Sequence, residues 1–172
     1  APYLTKNEHC HFMIRLVPAR PPSDEPMRRL WLVFFDNGPG AAWWARAFRP
    51  GFRHICAACW YDDQQRWVFY NPTRRGTVIE LYEADEFHAR FEQLLAGSTA
   101  VLRMPSRFER AGTPAVWHCV GAIKALLGLR SRAFTPHGLF RHLLAQGAET
   151  VEVPANVRPV QLVTAAAAGR RS

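Results

Sequence analysis

The chain has 172 residues, of which 48% are hydrophobic and 12% aromatic, so it can form one folded domain and does not resemble a disordered segment. Its 22 Lys and Arg residues exceed its 14 Asp and Glu residues, and the formal net charge of +8 favours contact with nucleic acid, anionic lipid or an acidic protein surface. No apolar run approaches the roughly 20 residues of a membrane-spanning helix, and residues 1–6 lack the apolar region of a signal peptide. We therefore expect neither a membrane span nor secretion.

The cysteines do not form the dense pattern of a disulfide-stabilised secreted domain. There are four of them, Cys10, Cys56, Cys59 and Cys119. We expect reduced thiols, each of which can serve in packing, metal binding or nucleophilic chemistry.

The N-terminal part of the chain predicts two strands and a short helix. Residues 9–17 alternate in the manner of a strand, and the proline-rich residues 18–26 predict a loop. Residues 29–35 are apolar almost throughout, which is typical of a strand buried on both faces. A turn over 36–40 and an amphipathic helix over 41–48 follow.

The middle of the chain predicts an antiparallel meander. Strands over 53–60 and 67–71 flank the polar turn 62–65, and a third strand covers 77–82. Such a series of short connections is typical of strands that pair with their neighbours in the chain.

A helix and two further strands are predicted around and after the meander. Asp85 is the expected N-cap of a helix over 86–95. Residues 99–104 have the composition of a strand, and residues 150–153 predict a last edge strand.

Two more helices are predicted towards the C-terminus. Thr113 and Pro114 match the N-cap and first position of a helix that passes through Cys119 and ends at Gly128. The second helix has the clearest pattern. Thr135 is the expected N-cap, Pro136 the first helical residue and Gly147 the terminator. The apolar stripe is formed by Leu139, Phe140, Leu143 and Leu144.

The order of these elements predicts an α+β protein. Antiparallel strands that precede separate helices are characteristic of that class. We find no internal repeat and no second domain, and therefore expect a single domain over 1–158 followed by a C-terminal tail over 159–172.

Three residues that can together activate a thiol occur where the predicted topology brings them close. His54 begins one strand of the hairpin and Asn71 ends the other, so both lie far from the turn and near each other. A helix N-terminus and a neighbouring imidazole favour a thiolate, and an Asn side chain can fix the tautomer of the imidazole. The sequence therefore predicts Cys119 as nucleophile, His54 as base and Asn71 as orienting group.

The order His…Asn…Cys, with the cysteine in the segment 117–128, resembles that of the circularly permuted papain-like hydrolases related to the NlpC/P60 group. The resemblance covers about residues 50–145, and the segment 135–143 resembles small phage-encoded proteins of this type. The other features that fit the pattern are Phe52-Arg53-His54, Trp60, Trp67 and Asn71-Pro72.

The resemblance implies a papain-like fold in permuted order, with an antiparallel meander packed against the helix that bears the cysteine. It also implies a thiol hydrolase that cleaves an amide, peptide or acyl bond without a cofactor or metal, in the cytoplasm of a host cell or on a virion. A peptide or acyl substrate and other virion or host proteins are the implied partners. The family's glutamine oxyanion donor has no counterpart upstream of Cys119, so we expect the backbone N–H of Cys119 to supply one donor.

A metal or redox site is one alternative. Cys56 and Cys59 form a CxxC motif beside His54, but a strand places Cys59 on the face opposite to the other two. His9 and His11 share a strand face without further ligands nearby in the sequence. Packing of small residues in a central strand explains the CxxC motif better, so we predict no metal ligand.

A protein without catalytic activity is the other alternative. The same fold could serve as a structural or assembly component of a phage particle, with its Arg residues in contact with protein or DNA. Cys119 would then be a buried helix residue and His54 a hydrogen-bonded strand residue. The Arg residues are scattered and not in one run, which makes nucleic acid the weaker of these partners.

Overall fold

The computed structural model describes residues 29–38, 47–73, 75–106 and 118–152. This part of the chain contains strands β1 (Leu30–Asp36), β2 (His54–Tyr61), β3 (Arg66–Thr73), β4 (Gly76–Glu83), β5 (Ser98–Pro105) and β6 (Glu149–Thr150). It also contains helices α1 (Ala84–Gly97), α2 (Cys119–Leu127) and α3 (Pro136–Ala145), and a 3-10 turn over Asp62–Gln64.

The strands form one antiparallel sheet in the order β4-β3-β2-β1-β5-β6. Strands β2, β3 and β4 are joined as consecutive hairpins, as the meander pattern predicts. Helix α1 then carries the chain from the β4 edge across the sheet to β5, which pairs with the other side of β1. The predicted α+β class is confirmed.

Helices cover both faces of the sheet. On the face that we call the α1 face, buried sheet residues pack against Phe87 and Phe91 of α1. On the opposite face, the α2 face, they pack against Val120 of α2 and Leu139 of α3. Strands β1 and β2 are therefore buried on both sides, which explains the nearly continuous apolar run of residues 29–35. No helix among the described residues is long and apolar enough to cross a bilayer.

Helix α3 begins as its sequence predicts. Thr135 is the N-cap and accepts a hydrogen bond from the N–H of Gly138, and Pro136 follows in the first turn. Leu139 and Leu143 are fully buried, but the prediction for Leu144 is wrong, since its side chain is 39% exposed. Leu144 lies about 100° beyond Leu143 around the helix axis and so turns away from the sheet.

The start of α1 differs from the prediction. Asp85 was expected as the N-cap but lies inside the helix, because the cap is Glu83. The side chains of Glu83 and Glu86 each accept a hydrogen bond from the other residue's backbone N–H, and this capping box satisfies two N–H groups at once.

Helix α2 begins at Cys119, so the prediction of a helix that runs from Thr113 through this residue is wrong at its start. His118 is extended, with φ −156° and ψ 165°, and its Nδ1 accepts from the N–H of Gly121 at 3.3 Å. Burial and the nearby Lys124 lower the pKa of His118, which favours the neutral ring that an accepting nitrogen requires. Gly128, in the left-handed conformation, ends the helix as predicted.

Several predictions fall on residues outside those described. They are the strand over 9–17, the loop over 18–26, most of the helix over 41–48, and the tail over 159–172 together with the end of the 1–158 domain. Thr113 and Pro114 also lie outside the described ranges.

The loop before β2 contains a close backbone contact. Gly51 has φ +84°, and its N–H donates to Oδ1 of Asn37 at 2.6 Å. A Cβ atom at this position would lie 2.5 Å from Oγ1 of Thr99, so both the conformation and the space require glycine. Since the loop runs directly into His54, its geometry sets where β2 begins.

The variant Gly51→Ala should lower the free energy of unfolding by about 2–5 kcal/mol, because a left-handed residue costs about 1–2 kcal/mol and overpacking about 1–3 kcal/mol. Gly147 has φ +87° and nothing within 4 Å of an added Cβ, so Gly147→Ala should cost only about 1–2 kcal/mol. Chemical denaturation measures both changes, and equal losses would contradict the steric contribution of Thr99.

Candidate functional site

Two of the predicted site residues lie side by side at one end of the sheet. His54 is the first residue of β2, and Asn71 lies on β3, one position beyond the paired residues Ala57 and Tyr70. The Nε2 atom of His54 and the Oδ1 atom of Asn71 are 2.9 Å apart, which is the length of a hydrogen bond.

This hydrogen bond determines the tautomer of His54. An amide oxygen can only accept, so the Nε2 atom of the imidazole carries a proton and donates it to Asn71. In a neutral ring the Nδ1 atom is then unprotonated and can take up a proton. The bond thus leaves His54 with one nitrogen that is suited to act as a base.

An acidic residue that the sequence analysis does not identify lies opposite His54. Asp36 ends β1, and its Cα pairs with that of His54 in the β1–β2 register. Burial raises the pKa of the Asp36 carboxyl, while the nearby His54 and the hydrogen bond from the N–H of Gly38 act in the opposite direction. The sequence marks Asp36 only as the start of a turn, because the cross-strand register is not visible in the chain.

The turn after β1 encloses one side of the histidine. The N–H of Gly38 donates to Oδ1 of Asp36 at 2.5 Å, and Gly38 has φ +68°. A Cβ atom on Gly38 would lie 3.0 Å from the Cβ of His54, so the turn rests against this residue. Gly38 and Asn71 together restrict the position of the imidazole.

The thiol of Cys119 lies at the N-terminus of α2 and is partly buried. Burial raises its pKa above the ordinary value. The backbone N–H groups of Ile55, Val120 and Cys119 itself interact with the sulfur and lower the pKa, whereas the charge of Asp36 raises it further. The net direction is upward, so the resting group at neutral pH is a thiol and not a thiolate.

The thiol and the imidazole reach the same end of β2 from different faces. By strand alternation His54 belongs with Cys56 on the α1 face, whereas α2 packs on the face that contains Ile55. The Cys119 sulfur meets β2 at the N–H of Ile55, the peptide group that follows His54. Among the described residues, the hydrogen bond of the His54 ring is the one to Asn71, and the thiol makes none to the ring.

The two cysteines of the CxxC motif are packed in the centre of β2. Cys56 lies in the core on the α1 face and Cys59 in the core on the α2 face, as strand alternation predicts. Burial raises the pKa of both thiols, that of Cys59 to about 12, so neither is a nucleophile at neutral pH. No group of three or more His, Cys, Asp or Glu residues that could hold a metal occurs within the described ranges, and His9 and His11 lie outside them.

No protein-family model matches the chain, and neither a curated protein nor a solved structure is found that is significantly similar to it. The resemblance to papain-like hydrolases therefore stays a prediction from the sequence. The function has to be argued from the chemistry of the residues at the end of the sheet.

The variant Asp36→Asn should make Cys119 more reactive at neutral pH. It keeps an oxygen that can accept from Gly38 but removes the charge that disfavours the thiolate, so the pKa of Cys119 falls. We expect the rate of alkylation by iodoacetamide at pH 7 to rise roughly two- to tenfold, since a charge interaction in a partly buried site is on the order of 1 kcal/mol.

Asp63→Asn is the matched control, because Asp63 is exposed in the β2–β3 turn at the other end of the sheet. It should leave the alkylation rate of Cys119 unchanged. Mass spectrometry of the alkylated peptide separates Cys119 from the other cysteines. An unchanged or lower rate in Asp36→Asn would show that Asp36 does not act on the thiol.

Proposed function

We propose that the protein is a thiol hydrolase that cleaves an amide, peptide or acyl bond. In this proposal Cys119 is the nucleophile, His54 the general base and Asn71 the residue that orients the imidazole. The fold would be papain-like with permuted element order, since the meander that carries His54 and Asn71 precedes the helix that begins with Cys119.

The hydrogen bond between His54 and Asn71 is the observation that carries the proposal. The pair combines a histidine at a strand start with an asparagine on the neighbouring strand, 2.9 Å apart. An imidazole that acts as a base needs a third group to fix its tautomer and orientation. The bond supports the proposal because it holds the imidazole in the orientation that a base requires, and the acylation experiment below distinguishes this role from that of a hydrogen-bonded structural histidine.

The raised pKa of Cys119 favours a general-base mechanism over a resting thiolate–imidazolium pair. As the sulfur attacks the carbonyl carbon, the thiol proton passes to Nδ1 of His54. The same proton then passes to the leaving amine or alcohol as the acyl–Cys119 thioester forms. A water molecule that gives its proton to His54 hydrolyses the thioester and regenerates the thiol.

In this mechanism the thiol and the imidazole have to come within hydrogen-bond distance when substrate binds. Catalytic hydrogen bonds are often long in unliganded enzymes and tighten in the substrate complex. Both groups already lie at the start of β2, because the sulfur interacts with the N–H of Ile55, next to His54. Because the two side chains reach this end of the sheet from different faces, the proposal requires the thiol to move around the end of β2 towards Nδ1 of His54, so that the bond from His54 to Asn71 is kept.

Backbone N–H groups support stabilisation of the oxyanion. The first N–H groups of a helix have no partner within the helix. Those of Cys119 and Val120 point to the region of the sulfur. They are suitable donors for the negative charge that develops on a carbonyl oxygen beside the thiol. They would take the place of the glutamine side chain that the sequence lacks.

An inactive structural or assembly protein is the second candidate, with a virion or a host cell as its setting. The raised pKa of Cys119 and the absence of a thiol–imidazole hydrogen bond among the described residues are compatible with it. The edge strand β4 favours it more directly, because Val78, Ile79 and Leu81 are 41%, 62% and 53% exposed. Exposed apolar side chains on an edge strand are suited to contact with another protein.

Acylation by p-nitrophenyl acetate separates the two candidates. In the hydrolase, Cys119 is acetylated and the variant His54→Ala loses roughly 10²–10⁴-fold in rate, which is the usual contribution of a general base. Asn71→Ala should lose less, because the base is retained but no longer oriented. Stopped-flow release of p-nitrophenol and the mass of the acetylated peptide measure both effects.

His142→Ala is the control for removal of a histidine, since His142 lies in the last turn of α3 and has no part in the proposed site. It should acylate at the wild-type rate. If wild type and His54→Ala react equally fast with both p-nitrophenyl acetate and iodoacetamide, His54 does not assist Cys119, and the structural candidate is favoured.

A further inference from the structure

A cavity of about 420 Å³ lies between the C-terminal end of α2 and the α2 face of the sheet. Its wall is formed mainly by Trp31, Val68, Tyr70, Ile79 and Leu126. This volume is within the range of about 300–1,000 Å³ that small-molecule sites occupy. An apolar wall of this size can hold the hydrocarbon part of a ligand.

One positive charge lies at the cavity. The guanidinium of Arg29 lies 3.7 Å above the centre of the Tyr61 ring and donates a hydrogen bond to the hydroxyl of Tyr61. Both residues line the cavity and are half-buried. Within the described ranges Arg29 has no carboxylate partner, so none of these residues neutralises its charge.

A buried hydroxyl lines the same cavity. Ser106 lines the cavity, its side chain is 6% exposed, and its Oγ has no hydrogen-bond partner among the described residues. Its backbone N–H donates to the carbonyl oxygen of Arg29 at 2.7 Å, which holds the two residues together. An unpaired buried hydroxyl is costly, and a ligand oxygen within hydrogen-bond distance would satisfy it.

We propose that this cavity binds a ligand with an apolar body and an anionic head, such as a medium-chain carboxylate. The hydrocarbon part lies against Trp31, Tyr70 and Leu126, and the carboxylate pairs with Arg29 and accepts from Ser106. Guanidinium groups bind carboxylates through two parallel hydrogen bonds, which makes Arg29 the main determinant of the charge of the ligand.

The site is separate from the proposed thiol site. Cys119 is at the beginning of α2 and Leu126 near its end, about 10 Å apart along the axis, since each residue adds about 1.5 Å. The inference therefore does not rest on the hydrolase proposal and can hold if that proposal fails.

Three probes with the same chain length test the inference on the full protein: octanoate, 1-octanol and octyltrimethylammonium. Amide chemical-shift mapping should place octanoate at the cavity, with affinity at least tenfold higher than that of octyltrimethylammonium, and 1-octanol in between. Equal affinities of octanoate and octyltrimethylammonium, or shifts confined to other surfaces, would overturn the proposal.

Variants then identify the residue that selects charge. Arg29→Met should weaken octanoate at least tenfold and leave 1-octanol binding unchanged, which also shows that the variant is folded. Arg141→Met, on the exposed surface of α3, should bind octanoate like wild type. Leu126→Trp fills the cavity and should abolish binding of both probes. Equal effects of Arg29→Met and Arg141→Met would mean that general surface charge, and not this cavity, attracts octanoate.

Discussion

The pairing of β1 with β2 is the constraint on which the other features of this protein depend. These two strands are buried on both faces, so each of their side chains must belong to one core or the other. A shift of the pairing by one residue would exchange the two sets of side chains, which fixes the register strongly. The same register that joins Trp31 to Cys59 in the core also sets Asp36 opposite His54 at the end of the sheet.

The end of the sheet combines polar chemistry with burial. Asp36, His54 and Cys119 are grouped where the two cores end, and burial raises the pKa of both the carboxyl and the thiol. The charge of His54 and the N–H of Gly38 oppose this effect at Asp36, and backbone N–H groups, first that of Ile55, oppose it at Cys119. A thiol in such surroundings stays neutral until a base takes its proton, and in the proposed mechanism that base is His54, held by Asn71.

Helix α2 gives the α2 face two distinct regions. Its first turn brings the Cys119 thiol and the N–H groups of Cys119 and Val120 to the start of β2, and its last turn forms one wall of a cavity that Arg29 also lines. The helix contributes to both regions because it packs along β2 and β3. Its first turn therefore lies at one end of these strands, and its last turn lies nearer the other end. Chemistry at one end and ligand binding at the other can therefore be tested independently.

Local patterns in the sequence were sufficient for the α+β class, the hairpin of β2 and β3, and the cap of α3 at Thr135, because periodicity and capping depend on neighbouring residues. They also predicted that His54 and Asn71 lie close together, since the number of residues from the turn can be counted along each strand. The position of Asp36 opposite His54, the start of α2 at Cys119 and the raised pKa of that thiol were decided only by the tertiary structure. Cross-strand register and burial arise from contacts between segments distant in the chain, and no local pattern encodes them.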